Sequence, residues 1–288
     1  MTPDQYCQDK AAKSGSSFYY SFLFLPPEQK QAIIALYAFC REVDDVVDEC
    51  DDPSLARIKL EWWRSEINNL FEDSPQHPVS QALATSIERF SLPKEHFLEI
   101  IDGMEMDLEQ FSYDSFKDLS LYCYRVASVV GLMAAEIFGY EDRQTLKYAY
   151  NLGMAFQLTN IIRDVAEDSG RGRIYLPADE MKQFGVSVDD ILQLKMSDNV
   201  RKLIEFQTER AKAYYQKAFE LLPESDRFSQ RSGLIMAAIY RKTLDEIEQD
   251  GFNVLEQRIS LTPLRKLWIA WGSARQEKKR HKRRMRAA

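Results

Sequence analysis

Apolar residues recur at helical spacing along most of the chain, and the strict alternation of a half-buried strand is scarce. No Asn-Gly or Asp-Gly pair lies between two alternating segments, so no β-hairpin is expected. The pattern therefore predicts an all-α protein. Helical segments are predicted at about residues 28–49, 54–72, 79–90, 93–112, 115–138, 141–168, 188–194, 197–222, 226–249 and 262–283.

The 288 residues carry 45% hydrophobic and 29% charged side chains, which is ordinary for a globular protein and excludes a disordered or collagen-like chain. No linker, low-complexity tract or solenoid period divides the chain. We therefore expect one catalytic or binding domain at residues 1–274, followed by a basic tail at residues 275–288.

The tail, RQEKKRHKRRMRAA, holds eight Lys or Arg and one Glu, a local charge of +7 against −7 for the whole chain. The first 274 residues therefore carry −14. A basic tail on an acidic body is typical of a contact with an anionic partner, but the acidic body argues against a nucleic-acid-binding domain. No nucleic acid is expected as a partner.

The segment before this tail suggests a membrane surface as that partner. Leu264, Leu267, Trp268 and Trp271 share one helical face, a combination that suits a peripheral contact with an anionic membrane. The alternative is a last helix that packs on the core and ends in a solvated tail.

Nothing else in the sequence indicates export or membrane insertion. The N-terminus lacks a basic segment followed by an apolar one, and the longest nearly apolar run, residues 126–138, is too short for a span. The four cysteines form no CxxC pair, which favours reduced thiols. We expect a cytoplasmic protein, with any membrane contact at the inner face.

The stretch YAFCREVDDVVDE places acidic residues on a helix that is otherwise apolar. Tyr37, Arg41, Asp44 and Asp48 are spaced four, three and four apart and so share one face. Two carboxylates four residues apart repel each other and destabilise a bare helix. Some cation is therefore expected to compensate them.

A second stretch, FQLTNIIRDVAED, repeats this arrangement. Gln157, Asn160, Asp164 and Asp168 follow spacings of three, four and four, and Arg163 lies beside them. One DxxxD pair alone is typical of a solvated helix end. Two such pairs on core-like helices, the second followed by the basic loop DSGRGRIYLP, favour a functional site.

Carboxylate and amide oxygens suit hard divalent cations, and Mg²⁺ is typically held by one or two carboxylates together with substrate phosphates. Two facing acidic helices would then bind Mg²⁺ and, through it, a diphosphate. Apolar walls would keep water away from a carbocation formed when the diphosphate leaves. The sequence has no phosphate loop, no GxGxxG after a strand, no HExxH and no Ca²⁺ loop.

Six ordered segments carry a resemblance to a known family: SGSSFYYSFLFLP, YAFCREVDDVVDE, YCYRVASVVG, FQLTNIIRDVAED, GRIYLP and YRKTLDEIEQDGF. They resemble the squalene and phytoene synthases, which join two prenyl diphosphates head to head. The N-terminal half is most similar to the bacterial presqualene diphosphate synthases of hopanoid pathways. The resemblance implies a single-domain isoprenoid synthase helical bundle with a central active-site cavity.

The resemblance also implies roles for particular residues. The Mg²⁺ ligands would be Asp44, Asp48, Asn160, Asp164 and Asp168, with Tyr122 near the reacting diphosphate. Residues that would bind substrate are Arg41, Gln157, Arg163, Phe18, Phe22, Tyr37, Ser17, Arg173 and Tyr240, with Ser14, Ser16, Tyr175 and Arg258 as further candidates. The aromatic members are alternatively ordinary core residues. Many relatives have Gly at Arg125 and Ser128, so the packing near Tyr122 is expected to differ.

The function implied is Mg²⁺-dependent condensation of two farnesyl diphosphates to presqualene diphosphate, with release of diphosphate. NADPH is not expected to be required. Either Tyr122 or the released diphosphate would serve as base. The alternatives are a phytoene synthase that uses geranylgeranyl diphosphate and a full NADPH-dependent squalene synthase. An alternative of another class is a helical scaffold whose acidic clusters are solvated faces.

Overall fold

The computed structural model describes residues 1–13, 17–50 and 52–287, without the side chains of Ser17 and Ala287. Within these residues regular structure is helical and no strand forms, so the all-α prediction is confirmed. The candidates Ser14 and Ser16, and the side chain of Ser17, lie outside the described part. The first helices are α1 (Pro3–Lys13), α2 (Ser17–Phe22), α3 (Pro27–Asp48), α4 (Pro53–Phe71), α5 (Pro78–Phe90), α6 (Lys94–Glu109) and α7 (Phe116–Cys123). After them come α8 (Val129–Phe138), α9 (Gln144–Gly170), α10 (Ala178–Gln183), α11 (Val188–Leu192), α12 (Asp198–Leu221), α13 (Arg231–Gln249) and α14 (Pro263–Ala287).

Helix α3 carries the first acidic stretch into the interior. It begins at Pro27, whose fixed φ suits the first turn of a helix. One face buries a stripe at helical spacing, and the acidic residues follow on the neighbouring face. The buried stripe includes Ile33, Leu36, Phe39, Val43 and Val47. Packing of this stripe therefore fixes the direction of the acidic face.

The interior consists of two large apolar clusters with a cavity at their junction. One cluster joins α1 and α3–α6 to α8, and the other joins α7, α9, α12 and α13. Phe18 and Val126 pack against both clusters. The site therefore lies where the two halves of one helical bundle meet.

A π-helical segment, Tyr124–Ser128, joins α7 to α8 beside the cavity. Ser128 donates from Oγ to the carbonyl oxygen of Tyr150 at 2.9 Å, and Arg125 pairs with Glu99 at 3.0 Å. These contacts hold Ser128 and Arg125 in place beside the cavity. Gly153 of α9 packs on this segment so closely that a Cβ there would lie 2.6 Å from the Cα of Ser128.

The basic loop after α9 returns the chain to the cavity. Gly172 adopts a left-handed φ of 74°, which favours glycine. Ile174 then donates to the carbonyl of Phe111 at 2.8 Å, and Ala178 donates to that of Tyr113 at 2.9 Å. These bonds hold Arg173 and Tyr175 between the ends of α6 and α9.

The last helix, α14, runs without a break across the boundary expected at residues 274 and 275. Its inner face packs on α2 and α13 through Ala270, which is fully buried. Further along, Arg227 pairs with Glu277 at 2.9 Å. The basic residues therefore continue a helix that is attached to the body.

One helical stretch, Phe116–Phe138, is long and apolar enough by composition alone to cross a membrane. The core helix of a globular bundle passes the same test. Here the stretch packs on α6 and α9, and several of its residues, including Tyr122, Val126 and Val130, line the central cavity. Its apolar character is accounted for by these contacts.

Candidate active site

A central cavity of about 700 Å³ collects the sequence-predicted residues from separate helices. Helices α2 and α3 contribute one wall, α7 and α8 another, and α9 and α13 a third. The predicted residues that line it are Phe18, Phe22, Tyr37, Arg41, Asp44, Asp48, Tyr122, Gln157, Asn160, Arg163, Asp164, Asp168, Arg173, Tyr175, Tyr240 and Arg258. Both DxxxD pairs therefore face the same space.

On the α3 wall, the guanidinium of Arg41 binds two carboxylates. Its Nη1 donates to Asp44 at 2.5 Å, and its Nη2 donates to Asp45. Asp45 also pairs with Lys10 of α1 at 2.7 Å. Arg41 is thus held at the cavity by a group outside the DxxxD pair, so Asp45 orients it.

Asp48, one turn further along α3, receives both arginines of the basic loop. Arg171 approaches it at 2.8 Å and Arg173 at 2.9 Å. Arg173 also donates to the carbonyl of Val47 at 3.3 Å. The loop after the second acidic helix therefore attaches directly to the end of the first.

On the α9 wall, Asp164 is held by Arg163 and by Arg258 from the segment before α14. Arg163 donates from Nε at 2.8 Å and Arg258 from Nε at 2.9 Å. The carboxylate of Asp168, one turn later, makes no hydrogen bond or ion pair with the described residues, although its backbone carbonyl accepts from the backbone N–H groups of Arg171 and Arg173. The two carboxylates of this pair thus differ in how far they are neutralised.

Burial raises the pKa of one carboxylate in each pair. Burial, opposed by Arg41 and reinforced by Asp48 and Asp107, raises the pKa of Asp44 to about 6. Burial and the neighbouring Asp164 raise the pKa of Asp168 to about 7. Removing water destabilises a carboxylate unless an opposite charge replaces it. The cavity lining holds six acidic and six basic side chains. Since burial is the main cause of both shifts, a cation beside Asp44 and Asp168 would favour their charged forms.

The donor set fits Mg²⁺, which prefers oxygen ligands. The Oδ1 atom of Asn160 is buried and has no hydrogen-bond partner. A bound cation would satisfy this acceptor. Within the described residues, no three Asp, Glu, His or Cys side chains converge on one point. A Mg²⁺ ion here would therefore need its remaining ligands from water and substrate phosphates.

Deeper in the cavity, a buried carboxylate that the sequence analysis did not single out holds two tyrosines. Tyr122 donates to Asp107 Oδ2 at 3.0 Å, and Tyr175 donates to Oδ1 at 2.7 Å. The two rings stack at 5.0 Å. Burial raises the pKa of Asp107 to about 6, although both hydroxyls stabilise its charge. Burial and the nearby Asp107 raise the pKa of Tyr122 well above its usual value.

The rest of the cavity wall is apolar. Phe18 contacts the rings of Tyr37 and Tyr240, with centroids 5.6 and 6.2 Å apart, and Phe156 contacts Tyr240 at 4.9 Å. Ala134 of α8 also lines this wall, and Gly131 and Gly233 allow α8 and α13 to approach Ala149 and Tyr148 of α9 closely. The aromatic candidates are both packed core residues and cavity lining.

Asp107, Arg171 and Lys266 line the cavity but were absent from the predicted set. A signal for Asp107 existed, since Ile100, Met104 and Asp107 lie at spacings of four and three on one face of α6, and a carboxylate on an apolar stripe is unusual. Lys266 carried no such signal. It reaches the cavity because α14 packs on α2 and α13.

Comparison with known proteins agrees with this architecture. The squalene/phytoene synthase family profile matches residues 11–265. Phytoene synthase 1 of Arabidopsis thaliana is 36% identical over 91% of this chain, which spans 63% of that relative's length. The 15-cis-phytoene synthase of Synechococcus elongatus is 34% identical, over 91% of this chain and 89% of its own.

Two solved structures share the fold. A dehydrosqualene synthase in complex with a ligand superposes with a TM-score of 0.86 at 29% identity, covering 96% of this chain and 97% of its own. The squalene synthase HpnC of Alicyclobacillus acidocaldarius gives a TM-score of 0.78 at 29% identity, covering 87% and 95%. The matched profile, the relatives and these structures agree that this chain belongs to the squalene/phytoene synthase family.

Proposed function

We propose that this protein condenses two molecules of farnesyl diphosphate head to head to give presqualene diphosphate and inorganic diphosphate. The observation that carries the proposal is the meeting of both DxxxD faces at one cavity whose deeper wall is apolar. The charged residues at the cavity entrance suit a diphosphate, and the apolar residues deeper in the cavity suit a prenyl chain. A helical scaffold with solvated acidic faces needs neither.

The arginines are the groups that position the diphosphates. Arg163 and Arg258 flank Asp164, while Arg171 and Arg173 meet at Asp48. A guanidinium offers a planar pair of donors that matches phosphate oxygens. When substrate binds, the arginine N–H groups are in position to donate to diphosphate oxygens in place of the carboxylates.

Asp44, Asp48, Asn160, Asp164 and Asp168 would hold Mg²⁺, with Gln157 beside them. When bound, Mg²⁺ supplies neutralisation of the charge that develops on the departing diphosphate. The chain itself excludes water from the reacting carbons. Phe18, Phe22 and Tyr37 form part of the apolar wall that does so.

In the proposed reaction, the bond from C1 to the diphosphate of one farnesyl diphosphate breaks, and the 2,3 double bond of the second attacks C1. Loss of a proton closes the cyclopropane. Tyr122 is a poor base, because its raised pKa keeps the phenol protonated and its hydrogen bond is directed to Asp107. The released diphosphate is the better proton acceptor. Tyr122 is instead held at the cavity wall by Asp107, which accepts a hydrogen bond from its hydroxyl.

Two observations support farnesyl diphosphate as the substrate. The N-terminal half of the sequence resembles presqualene diphosphate synthases, and the two solved structures are named as a dehydrosqualene synthase and a squalene synthase. The same N-terminal half supports a product released as presqualene diphosphate without NADPH. A second candidate is phytoene synthesis from geranylgeranyl diphosphate, because phytoene synthases of plants and of a cyanobacterium are 34–36% identical to this chain.

The test offers farnesyl and geranylgeranyl diphosphate separately, with Mg²⁺ and with or without NADPH, and identifies products by mass spectrometry. Presqualene diphosphate from farnesyl diphosphate under both conditions is expected. Dominant phytoene would assign the second candidate, and squalene that appears only with NADPH would assign a full squalene synthase. Absence of diphosphate release from either substrate would contradict an enzyme of this kind.

A further inference from the structure

The outward face of α14 presents large apolar side chains that no part of the described structure covers. Leu264 is 73% exposed, Trp268 69% and Trp271 47%. Spacings of four and three place them on one side of the helix. The rings of Trp268 and Trp271 contact each other at 5.8 Å. We call Leu264, Leu267, Trp268 and Trp271 the aromatic patch.

The same side of the helix becomes cationic beyond the aromatic patch. Arg275 lies over the ring of Trp271 at 5.3 Å, and exposed Lys278 and Lys282 follow at helical spacing. Lys278, Lys279 and Lys282 form no ion pair with the described residues. Their charge is therefore available to an anionic partner.

Contacts on the opposite side fix the orientation of the helix. Ala270 is fully buried, Glu277 pairs with Arg227 at 2.9 Å, and His281 stacks on Phe228 at 4.1 Å. Arg280 binds Glu224 at 2.5 Å. These contacts hold the inner face on the body, so the apolar and cationic groups form one rigid outward surface.

This surface begins at the rim of the cavity. Lys266 lines the cavity, and its neighbour Leu267 is exposed. Burial and the nearby charges of Arg163 and Arg258 lower the pKa of Lys266. The aromatic patch is thus next to the charged mouth rather than on a remote part of the molecule.

We propose that the outward face of α14 docks on an anionic lipid bilayer, with the aromatic patch in the interfacial region and the cationic turns on the headgroups. Trp favours the interface, and a basic amphipathic helix combines apolar burial with attraction to anionic lipid. Residues 263–287 contain ten Lys or Arg and one Glu, whereas the remaining chain is strongly acidic. An anionic surface therefore attracts this face and repels the others.

Other occupants fit the surface less well. A second copy of this face would bring like charges together, and nucleic acid would use the cations without burying the aromatic patch. Docking would place the rim of the cavity against the bilayer, where an apolar ligand could pass directly between the cavity and the lipid. The proposal does not depend on the reaction assigned above, because binding to vesicles is measured without substrate.

The experiment measures sedimentation of the full chain with phosphatidylcholine vesicles that contain or lack phosphatidylglycerol. Binding is expected only with the anionic lipid and is expected to fall as salt rises. Substitution of Lys278, Lys279 and Lys282 by Gln should weaken it on the order of 100-fold, since each Lys near an anionic surface contributes about 1 kcal/mol. Exchange of Lys182, Lys202 and Lys217, which are also exposed, for Gln is the matched control and should leave binding unchanged.

The aromatic patch is tested by Trp268→Gln with Trp271→Gln, which should weaken binding at least tenfold and abolish fluorescence quenching by brominated lipid. Trp62→Gln is the control, because Trp62 is 47% exposed on α4, away from α14. Equal binding to neutral vesicles, or none to anionic ones, overturns the proposal. If the Lys variant loses binding but the Trp variant does not, the surface is a site for polyanions and the proposal is overturned. A dimer in solution that the Trp variant dissociates would likewise overturn it.

Discussion

Asp44 and Asp164 occupy equivalent places in the two acidic helices but have different surroundings. We expect Asp44→Asn and Asp164→Asn each to reduce turnover at least about 100-fold, because each removes a negative charge from the proposed metal site. Diphosphate release measures this. Asp9→Asn, an exposed change on α1, should leave turnover unchanged. Turnover that survives with an unaltered Mg²⁺ requirement would contradict the assigned role.

The same two variants should differ in stability without Mg²⁺. Burial raises the pKa of Asp44 to about 6, so its ionised form destabilises the folded state. The Asp44→Asn variant should therefore match or slightly exceed the thermal stability of the wild type above that pH. Asp164→Asn instead leaves Arg163, whose side chain is 18% exposed, without its counter-ion, and should be less stable. Thermal unfolding of both variants in chelator distinguishes these effects.

Asp107 provides a pH-dependent prediction. Its folded pKa of about 6 exceeds the ordinary value of 3.8, so the folded state holds a proton that the unfolded state releases. The contribution of this group to stability is therefore full below about pH 4 and is lost as the pH rises through 6. Asp107→Asn should be more stable than wild type above pH 7 by about 1–3 kcal/mol, and the difference should shrink towards pH 4. A constant difference across that range, measured by chemical denaturation, would count against it.

At the scale of helices, the contact between α9 and the π-helical segment depends on Gly153. An alanine Cβ would lie 2.6 Å from Ser128 Cα and 2.7 Å from the carbonyl oxygen of Ala127, and backbone atoms cannot move aside as a flexible side chain can. We expect Gly153→Ala to cost at least about 2 kcal/mol. Because this contact also supports the helix that carries Tyr122, turnover should fall at temperatures where the variant remains folded.

Gly170, at the end of the same helix, is the matched control. A Cβ there meets no atom within 4 Å. Gly170→Ala should be neutral or stabilising by up to about 1 kcal/mol, since alanine favours helix and restricts the unfolded chain. Equal melting temperatures of the two variants would show that the close approach at Gly153 does not restrict the size of the residue there.

For the whole molecule, the two DxxxD pairs and the arginines that line one cavity predict how ligands stabilise the fold. Mg²⁺ and inorganic diphosphate together should raise the melting temperature more than the sum of their separate effects, because each supplies charge that the other needs. A ligand at 100 times its Kd stabilises by about 2.7 kcal/mol. The combined variant Asp44→Asn with Asp164→Asn should lose this cooperation. Full stabilisation by diphosphate alone would point to arginine-only binding and contradict a metal site.

The helices were largely predictable because their signals are local. Apolar spacing identified the helix ending at the acidic stretch as residues 28–49, and the structure gives Pro27–Asp48. The two DxxxD faces, and the basic loop after the second, also follow from spacing within one helix and its continuation. The sequence pattern did not predict the π-helical segment Tyr124–Ser128, which packs closely against Gly153 of α9, a residue distant in sequence.

The sequence by itself determined an all-α chain, two acidic faces and a cationic end, because each of these depends on residues within a few turns of one another. Only the tertiary structure decided which groups meet. Arg173 reaches Asp48 across 125 positions and Arg258 reaches Asp164 across 94. The pairing of Asp107 with Tyr122 and Tyr175, and the attachment of the basic tail through Glu277, have the same origin. Such contacts depend on how helices pack, and packing depends on the shape of the whole core rather than on the spacing within any helix.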